Sequence, residues 1–224
     1  MTYTVQPVGD TGLILRFGDH ISDDIHAQVL QMQARLEAHS PLGITELVPS
    51  YAALFVGYDP LITDYETFKC AISELPDVAA QYSTASLWTI PVCYDTDISP
   101  DIARVADMAG LSIEAVIDAH TSARYKVYMY GFAPGYAYLG GVPDILQFPR
   151  KTAPVRGVPD GTVCIAGPQA LVTTVTLPNG WWRIGRTAFR FLRPEDDNPF
   201  PLNVGDEVRF ERVSRATYER ELKR

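Results

Sequence analysis

The sequence predicts an α+β fold in two parts, a small α/β sandwich over residues 1–85 and a β-barrel over residues 86–224. Two observations lead there. The first 85 or so residues alternate strand-like and helix-like apolar patterns, the order of a sheet covered by helices. From Lys126 onward helical periodicity disappears, and Gly and Pro punctuate a series of short β-prone runs, the pattern of a closed or nearly closed barrel. The polar, weakly patterned stretch Gln81–Ser86 lies between the two and marks the expected boundary.

In the first part, Tyr3–Val8 and Leu13–Phe17 read as strands joined by the turn Gly9-Asp10-Thr11-Gly12. Ser22 is the expected N-cap of a helix, with Asp23 and Asp24 where the helix dipole favours negative charge. Ile25, Val29, Met32 and Leu36 form its apolar stripe, and Pro41 and Gly43 end it. Ile44–Val48 and Ala52–Tyr58 read as two further strands. A second helix is expected from Thr63, with Glu66 completing a capping box, and Tyr65, Phe68, Ile72 and Leu75 form its buried face before Pro76.

In the second part, Leu87–Tyr94 reads as a strand and Ser99-Pro100-Asp101 as a helix start, with Pro at the first helical position. Ile102, Val105, Ala106 and Ala109 face inward, Gly110 caps the end, and Ser112 begins a helix reaching about His120. The expected strands are then Lys126–Tyr130, Thr162–Ala166, Leu171–Leu177, Trp182–Ile184, Ala188–Leu192 and Glu207–Arg212, with a fraying polar tail from Ser214.

Composition narrows the function classes. An apolar share of 46% and a charged share of 21% over 224 residues are those of an ordinary globular protein. The net charge of −8 argues against nucleic-acid or anionic-membrane partners, because phosphate repels an acidic surface, yet a few arginines can still make a local anion pocket. Cys70, Cys93 and Cys164 are odd in number and far apart, without CxxC or Cys/His ligand spacing, so buried reduced thiols are expected rather than disulfides or a metal site. Residues 1–30 carry no leader pattern and no run suits a spanning helix, so a cytoplasmic protein is expected.

The chemistry concentrates in Tyr130–Gly141, where glycines and a proline alternate with aromatics. No regular helix or central strand accommodates that composition. A shaped loop remains, either a barrel corner packed by its aromatics or a ligand-lining turn formed by Gly131, Phe132, Pro134, Gly135, Tyr136 and Tyr138. Arg150, Lys151 and Arg156 put positive charge nearby in sequence. Pro178–Trp182 is a second tight turn in which Trp181 either packs the barrel or walls a pocket, and Arg186 is a candidate anion anchor. His120 is either an electrostatic cap at its helix end or a general acid/base reaching the loop. His20, His26 and His39 read as solvated. No P-loop, HExxH or GxSxG motif occurs.

Taken in order, Ile90-Pro-Val-Cys-Tyr-Asp95, His120, the run Tyr128–Gly141, Pro149-Arg150, Val158–Gln169, Pro178–Trp181 and Gly185-Arg186-Thr187 resemble one family. They are similar to the B subunit of the bacterial ATP-dependent 5-oxoprolinase, also called allophanate hydrolase subunit 1 or KipI, whose pattern includes GFxPGFxYLxG followed by PR and GRT. The resemblance implies a cyclophilin-like barrel, hydrolysis of 5-oxoproline to L-glutamate with ATP, and a KipA or allophanate hydrolase subunit 2-type partner, with a LamB/YcsF-type protein as a further one. It places His120, Arg150 and Arg186 in catalytic roles. The Gly131–Gly135 backbone would hold an oxyanion, and Gln169, Trp181 and Thr187 join the loop residues as substrate contacts. ATP would be shared with a partner. Related domains in urea carboxylase, and members described as histidine-kinase inhibitors, supply two alternative functions. The chain departs from the family where Val155 follows Pro154 in place of arginine, and where Thr173-Thr174 replaces Tyr-Pro.

Overall fold

The computed structural model describes residues 2–78 and 85–223, so residues 81–84 of the expected boundary stretch lie outside the described part. The chain separates into two compact units, 1–84 and 85–224.

The first unit is a four-stranded antiparallel sheet with two helices. Strands β1 (Thr4–Val8), β2 (Gly12–Arg16), β3 (Ile44–Pro49) and β4 (Ala53–Tyr58) lie in the order β1-β2-β4-β3, with α1 (Asp23–His39) and α2 (Tyr65–Ser73). Alternation along β2 and β4 turns Leu13, Leu15, Leu54 and Val56 inward, where they meet Val29, Met32 and Leu36 of α1 and Phe68 and Ile72 of α2. Each such side chain contributes about 1.5–3 kcal/mol on burial. Two expectations shift here. Asp64, not Thr63, caps α2, its carboxylate accepting from Thr67 N–H at 2.9 Å. His26 is buried rather than solvated, because it lies three residues before Val29 on the inner stripe of α1.

The second unit is a nearly closed seven-stranded barrel carrying helices. Its elements are β5 (Leu87–Val92), α3 (Ile102–Ala109), α4 (Ile113–Ser122), β6 (Tyr125–Tyr130), β7 (Ala137–Gly140), β8 (Val155–Val158), β9 (Thr162–Ala166), β10 (Gln169–Val172), β11 (Leu177–Asn179), β12 (Trp182–Arg186), β13 (Glu207–Arg212) and α5 (Arg215–Glu221). The barrel runs β12-β9-β10-β7-β6-β13-β5, and β8 with β11 forms a separate two-stranded ribbon. Only β13 and β5 pair in parallel among the described strands. The two end strands meet at a single antiparallel bridge between Cys93 and Arg186, whose N–H groups donate to each other's carbonyls at 2.8 and 2.9 Å. Gly185 permits this approach, since a Cβ there would lie 2.5 Å from Val92 Cγ1. Inside, Ile90, Val92, Val127, Leu139, Val163, Ile165, Ala170, Ile184, Val208 and Phe210 meet Ile102, Val105, Val116 and Ile117 of α3 and α4.

Three barrel expectations change. Ala188–Leu192 is not a strand; Phe189 and Phe191 pack by their rings while the backbone turns. The single strand expected at Leu171–Leu177 is instead the end of β10 and the start of β11, separated by Thr173–Thr176. The tail from Ser214 does not fray but forms α5, capped by the Ser214 hydroxyl accepting from Thr217 N–H. Among the described residues no helix is long and apolar enough to cross a membrane, and no group of three His, Cys, Asp or Glu is placed to hold a metal ion.

Candidate functional site

The loop between β6 and β7 is shaped by its own backbone. Ala133 N–H donates to Gly131 C=O at 2.8 Å and Tyr136 N–H to Ala133 C=O at 3.1 Å. Phe132 is thereby held at φ 69, a left-handed conformation that costs a bulky residue about 1–3 kcal/mol. It is also 73% exposed, so core packing does not account for it. Gly135, at φ 74, is boxed in: a Cβ there would lie 2.8 Å from Leu192 Cβ and 3.2 Å from Phe191 C=O. The Thr174 hydroxyl donates to Pro134 C=O at 2.5 Å, tying the loop to the segment after β10.

One face of this loop opens onto a cleft of ≈ 420 Å³. Phe132 and Tyr136 line it from the loop, Tyr138 from β7, Arg150 and Lys151 from the segment before β8, Asn179 from the end of β11 and Trp181 from the turn between β11 and β12. Tyr138 and Trp181 meet edge to face, with ring centroids 5.8 Å apart. Beneath them lie Cys164 and Leu171. Burial pushes the Cys164 thiol up to about 12, so it stays protonated and inert.

Arg150 is exposed and has no hydrogen-bond or ion-pair partner among the described residues, yet both its neighbours are fastened. Trp182 Nε1 donates to Pro149 C=O at 2.9 Å, and Lys151 N–H donates to Gly180 C=O at 2.7 Å. The Lys151 ammonium meets Asp101 Oδ2 at 2.5 Å and lies 5.2 Å from the Trp182 ring centroid. Arg183 grips the same carboxylate through Nε at 2.7 Å, through its second guanidinium nitrogen at 3.2 Å, and through its backbone N–H at 2.9 Å. Burial works to raise the Asp101 pKa, but hydrogen bonds from Arg183 and Lys151 outweigh it, and the carboxyl sits below its ordinary value. Asp101 therefore ties the start of α3 to β12 and to the Arg150 segment. Sequence reading took Asp101 only as part of a helix start; its partners are 50 and 82 residues away.

Other expected site residues go elsewhere. Arg186 and Thr187 line a second cleft of ≈ 460 Å³ with Asp160, Thr174, Phe189 and Arg190. There the Arg186 guanidinium donates to Asp160 C=O at 2.9 Å, and the Thr187 hydroxyl accepts from Phe189 N–H at 3.0 Å. Gly131, Phe132, Pro134 and Gly135 line a shallow depression with Tyr130 and Phe200, of which only Phe132 also reaches the Arg150 cleft. Gln169 sits in β10 opposite Gly140 and Ala166 and lines none of these clefts. Gly131 N–H donates to Tyr136 C=O at 3.3 Å and Pro134 has no N–H, so the Gly131–Gly135 backbone does not present a row of free donors for an oxyanion.

His120 lies in the barrel core and lines none of these clefts. It is 0% exposed, stacks on Phe210 with ring centroids 4.6 Å apart, and has Nδ1 2.8 Å from the Tyr94 hydroxyl. Burial lowers its pKa to about 3, which together with its place in the core argues against a charged helix cap and against the expected proton transfer at the loop. Cys93 and Cys164 are buried as expected, but Cys70 is exposed.

Residues 3–202 match the family model of the carboxyltransferase domain, subdomain C and D. The 5-oxoprolinase B subunit of Bacillus subtilis (strain 168) is 36% identical over 228 residues, an alignment covering 96% of this chain and 95% of that protein. The chain belongs to the family of 5-oxoprolinase B subunits. The crystal structure of TTHA0988 matches with a TM-score of 0.79 at 33% identity, over 94% of this chain and 40% of that one, so this chain spans well under half of that longer protein. K. lactis urea amidolyase matches with a TM-score of 0.80 at 16% identity, over 99% of this chain and 15% of that chain, which is a likeness of fold. The Arg150 cleft and the Arg186 cleft are thus two candidate sites on the fold of a 5-oxoprolinase B subunit.

Proposed function

We propose that this chain is one subunit of an ATP-dependent 5-oxoprolinase complex that opens 5-oxoproline to L-glutamate, and that the Arg150 cleft receives the substrate. The observation that carries this reading is an arginine without a partner among the described residues, at a cleft walled by Phe132, Tyr138 and Trp181. A guanidinium takes a carboxylate through paired N–H donors, and aromatic faces take the flat lactam ring. The relatives named as 5-oxoprolinase B subunits support the substrate class.

A lactam carbonyl is a poor electrophile; phosphorylation of its oxygen would activate the carbon to attack by water. The ring C–N bond would then break with the nitrogen leaving as the amine, and a second water would release phosphate from the resulting acyl phosphate. The cleft does not suit the triphosphate itself. Its second cation, Lys151, is engaged by Asp101, which leaves a single unpaired guanidinium for a polyanion. ATP is therefore assigned to the partner, a protein of the KipA or allophanate hydrolase subunit 2 type, with a LamB/YcsF-type protein as a further component. This chain's own share is to bind and orient the ring. The exposed Phe132 and Phe200 beside the loop are the apolar surface such a partner would cover.

A carboxyl-transfer role is the second reading, favoured by the carboxyltransferase family model. The test of both is reconstitution with the neighbouring subunits, following ATP-dependent release of glutamate from 5-oxoproline. Glutamate release supports the first reading. A folded complex that releases none, and instead moves a carboxyl group between carriers, overturns it.

A further inference from the structure

Tyr136 forms the buried lining of the Arg150 cleft and is 1% exposed. Its hydroxyl is shielded from solvent and has no hydrogen-bond partner among the described residues, the only such side-chain atom in the lining of this cleft. Most buried hydroxyls are paired, and an unpaired one calls for a ligand or another specific explanation. The surroundings offer no substitute. Cys164 lies behind the ring as a protonated thiol, and the Asn179 amide is taken up by Trp181 N–H at 2.7 Å and by a long 3.9 Å contact to Cys164 Sγ.

Resting on the proposed function, we infer that Tyr136 is a specificity-determining residue whose hydroxyl donates a hydrogen bond to a carbonyl oxygen of the bound ligand, while Arg150 holds the ligand's carboxylate. The ligand class follows from this pair of contacts: a small ring or acyl-amino acid with a carboxylate and a neutral amide carbonyl. Burial pushes the Tyr136 phenol up to about 12, so it remains a donor across the working pH range. A site with a buried donor penalises an analogue that cannot accept from it, because the donor is left unpaired in the complex. A phenylalanine at the same position has no such preference.

The experiment titrates three probes against the full chain, alone and assembled with its partner, by calorimetry. 5-Oxoproline carries both groups, cyclopentanecarboxylate lacks the amide, and 2-pyrrolidinone lacks the carboxylate. The wild-type protein is expected to prefer 5-oxoproline over cyclopentanecarboxylate by about tenfold. Tyr136→Phe should remove that preference while leaving cyclopentanecarboxylate affinity unchanged. Arg150→Ala should weaken both carboxylates and spare 2-pyrrolidinone. Retention of the preference in Tyr136→Phe, or no binding of 5-oxoproline to either wild-type sample, overturns the inference. An unchanged KM for 5-oxoproline in a complex carrying Tyr136→Phe overturns it too, while leaving the proposed function standing. Binding with the expected preferences but no glutamate release does the reverse.

Discussion

In the cleft of Arg150 the guanidinium is exposed and unpaired among the described residues, and its neighbours along the chain are fastened to the opposite wall. In the cleft of Arg186 one terminal nitrogen of the guanidinium donates to Asp160 C=O while its buried Nε has no partner among the described residues, and the same residue's backbone closes the barrel against Cys93. The first arrangement leaves the whole guanidinium exposed on a fastened segment; the second ties one end of the guanidinium to the chain and buries its Nε. In the sequence the two look equivalent, each beside a turn and a Gly or Pro. Exposure and the bonds already made, rather than residue type, rank the two as anion sites.

The sharpest way to break this contrast is to remove each guanidinium in the reconstituted complex. Arg150→Ala should lower kcat/KM for 5-oxoproline by roughly ten- to a hundredfold, the range for losing charge-assisted hydrogen bonds. Arg186→Ala should change it by severalfold at most, with its main effect in a lower unfolding midpoint. Equal losses in kcat/KM would merge the two clefts into one site.

A smaller effect is expected one step back from the cleft. Asp101→Asn removes the charge that Lys151 and Arg183 share and should destabilise the second unit by roughly 2 kcal/mol, read from chemical denaturation. The folded pKa of Asp101 lies below its ordinary 3.8, so its contribution is full above that value and is lost as pH falls through the lower folded one. The Asn variant should therefore differ least from wild type in strong acid.

His120 gives a pH test of the opposite sort of burial. Its folded pKa of about 3 lies below the unfolded value near 6.5, so the unfolded chain takes up the proton first. Stability attributable to its neutral burial is complete above about pH 6.5 and is lost as pH falls toward 3. His120→Phe should flatten that limb of a stability–pH curve and leave the pH–rate profile of the complex in place. A rate profile that moves with the substitution would return His120 to the chemistry. The smallest effect is expected for Phe132→Ala, within about 0.5 kcal/mol in stability because the ring is exposed. Its consequence should lie in ligand affinity and in association with the partner, measured by calorimetry.

Much of the fold was legible because apolar periodicity is local. The stripe Val29–Met32–Leu36 and the alternation of Leu13 and Leu15 announce their elements without reference to the rest of the chain. The short strand Ala137–Gly140 was hidden inside a glycine-rich run, and α5 was hidden by a polar sequence whose buried anchor is one tyrosine, Tyr218. For the site, the aromatic loop, Arg150 and Trp181 were legible and do line one cleft. What sequence could not supply was the pairing of β9 with β12 and the Cys93–Arg186 bridge, which carry Arg186 and Thr187 to another cleft. The Asp101 clamp depends on contacts too distant in sequence to leave a local pattern.

The central claim is where the ligand sits, and the most direct measurement is a titration of the isotopically labelled full chain, assembled with unlabelled partner, with 5-oxoproline followed by NMR. The indole N–H of Trp181 and the side-chain N–H signals of Arg150 are expected to move together, saturating at one ligand concentration, with Arg186 and Thr187 unmoved. Shifts confined to Arg186 and Thr187, with Trp181 and Arg150 still, would contradict the account.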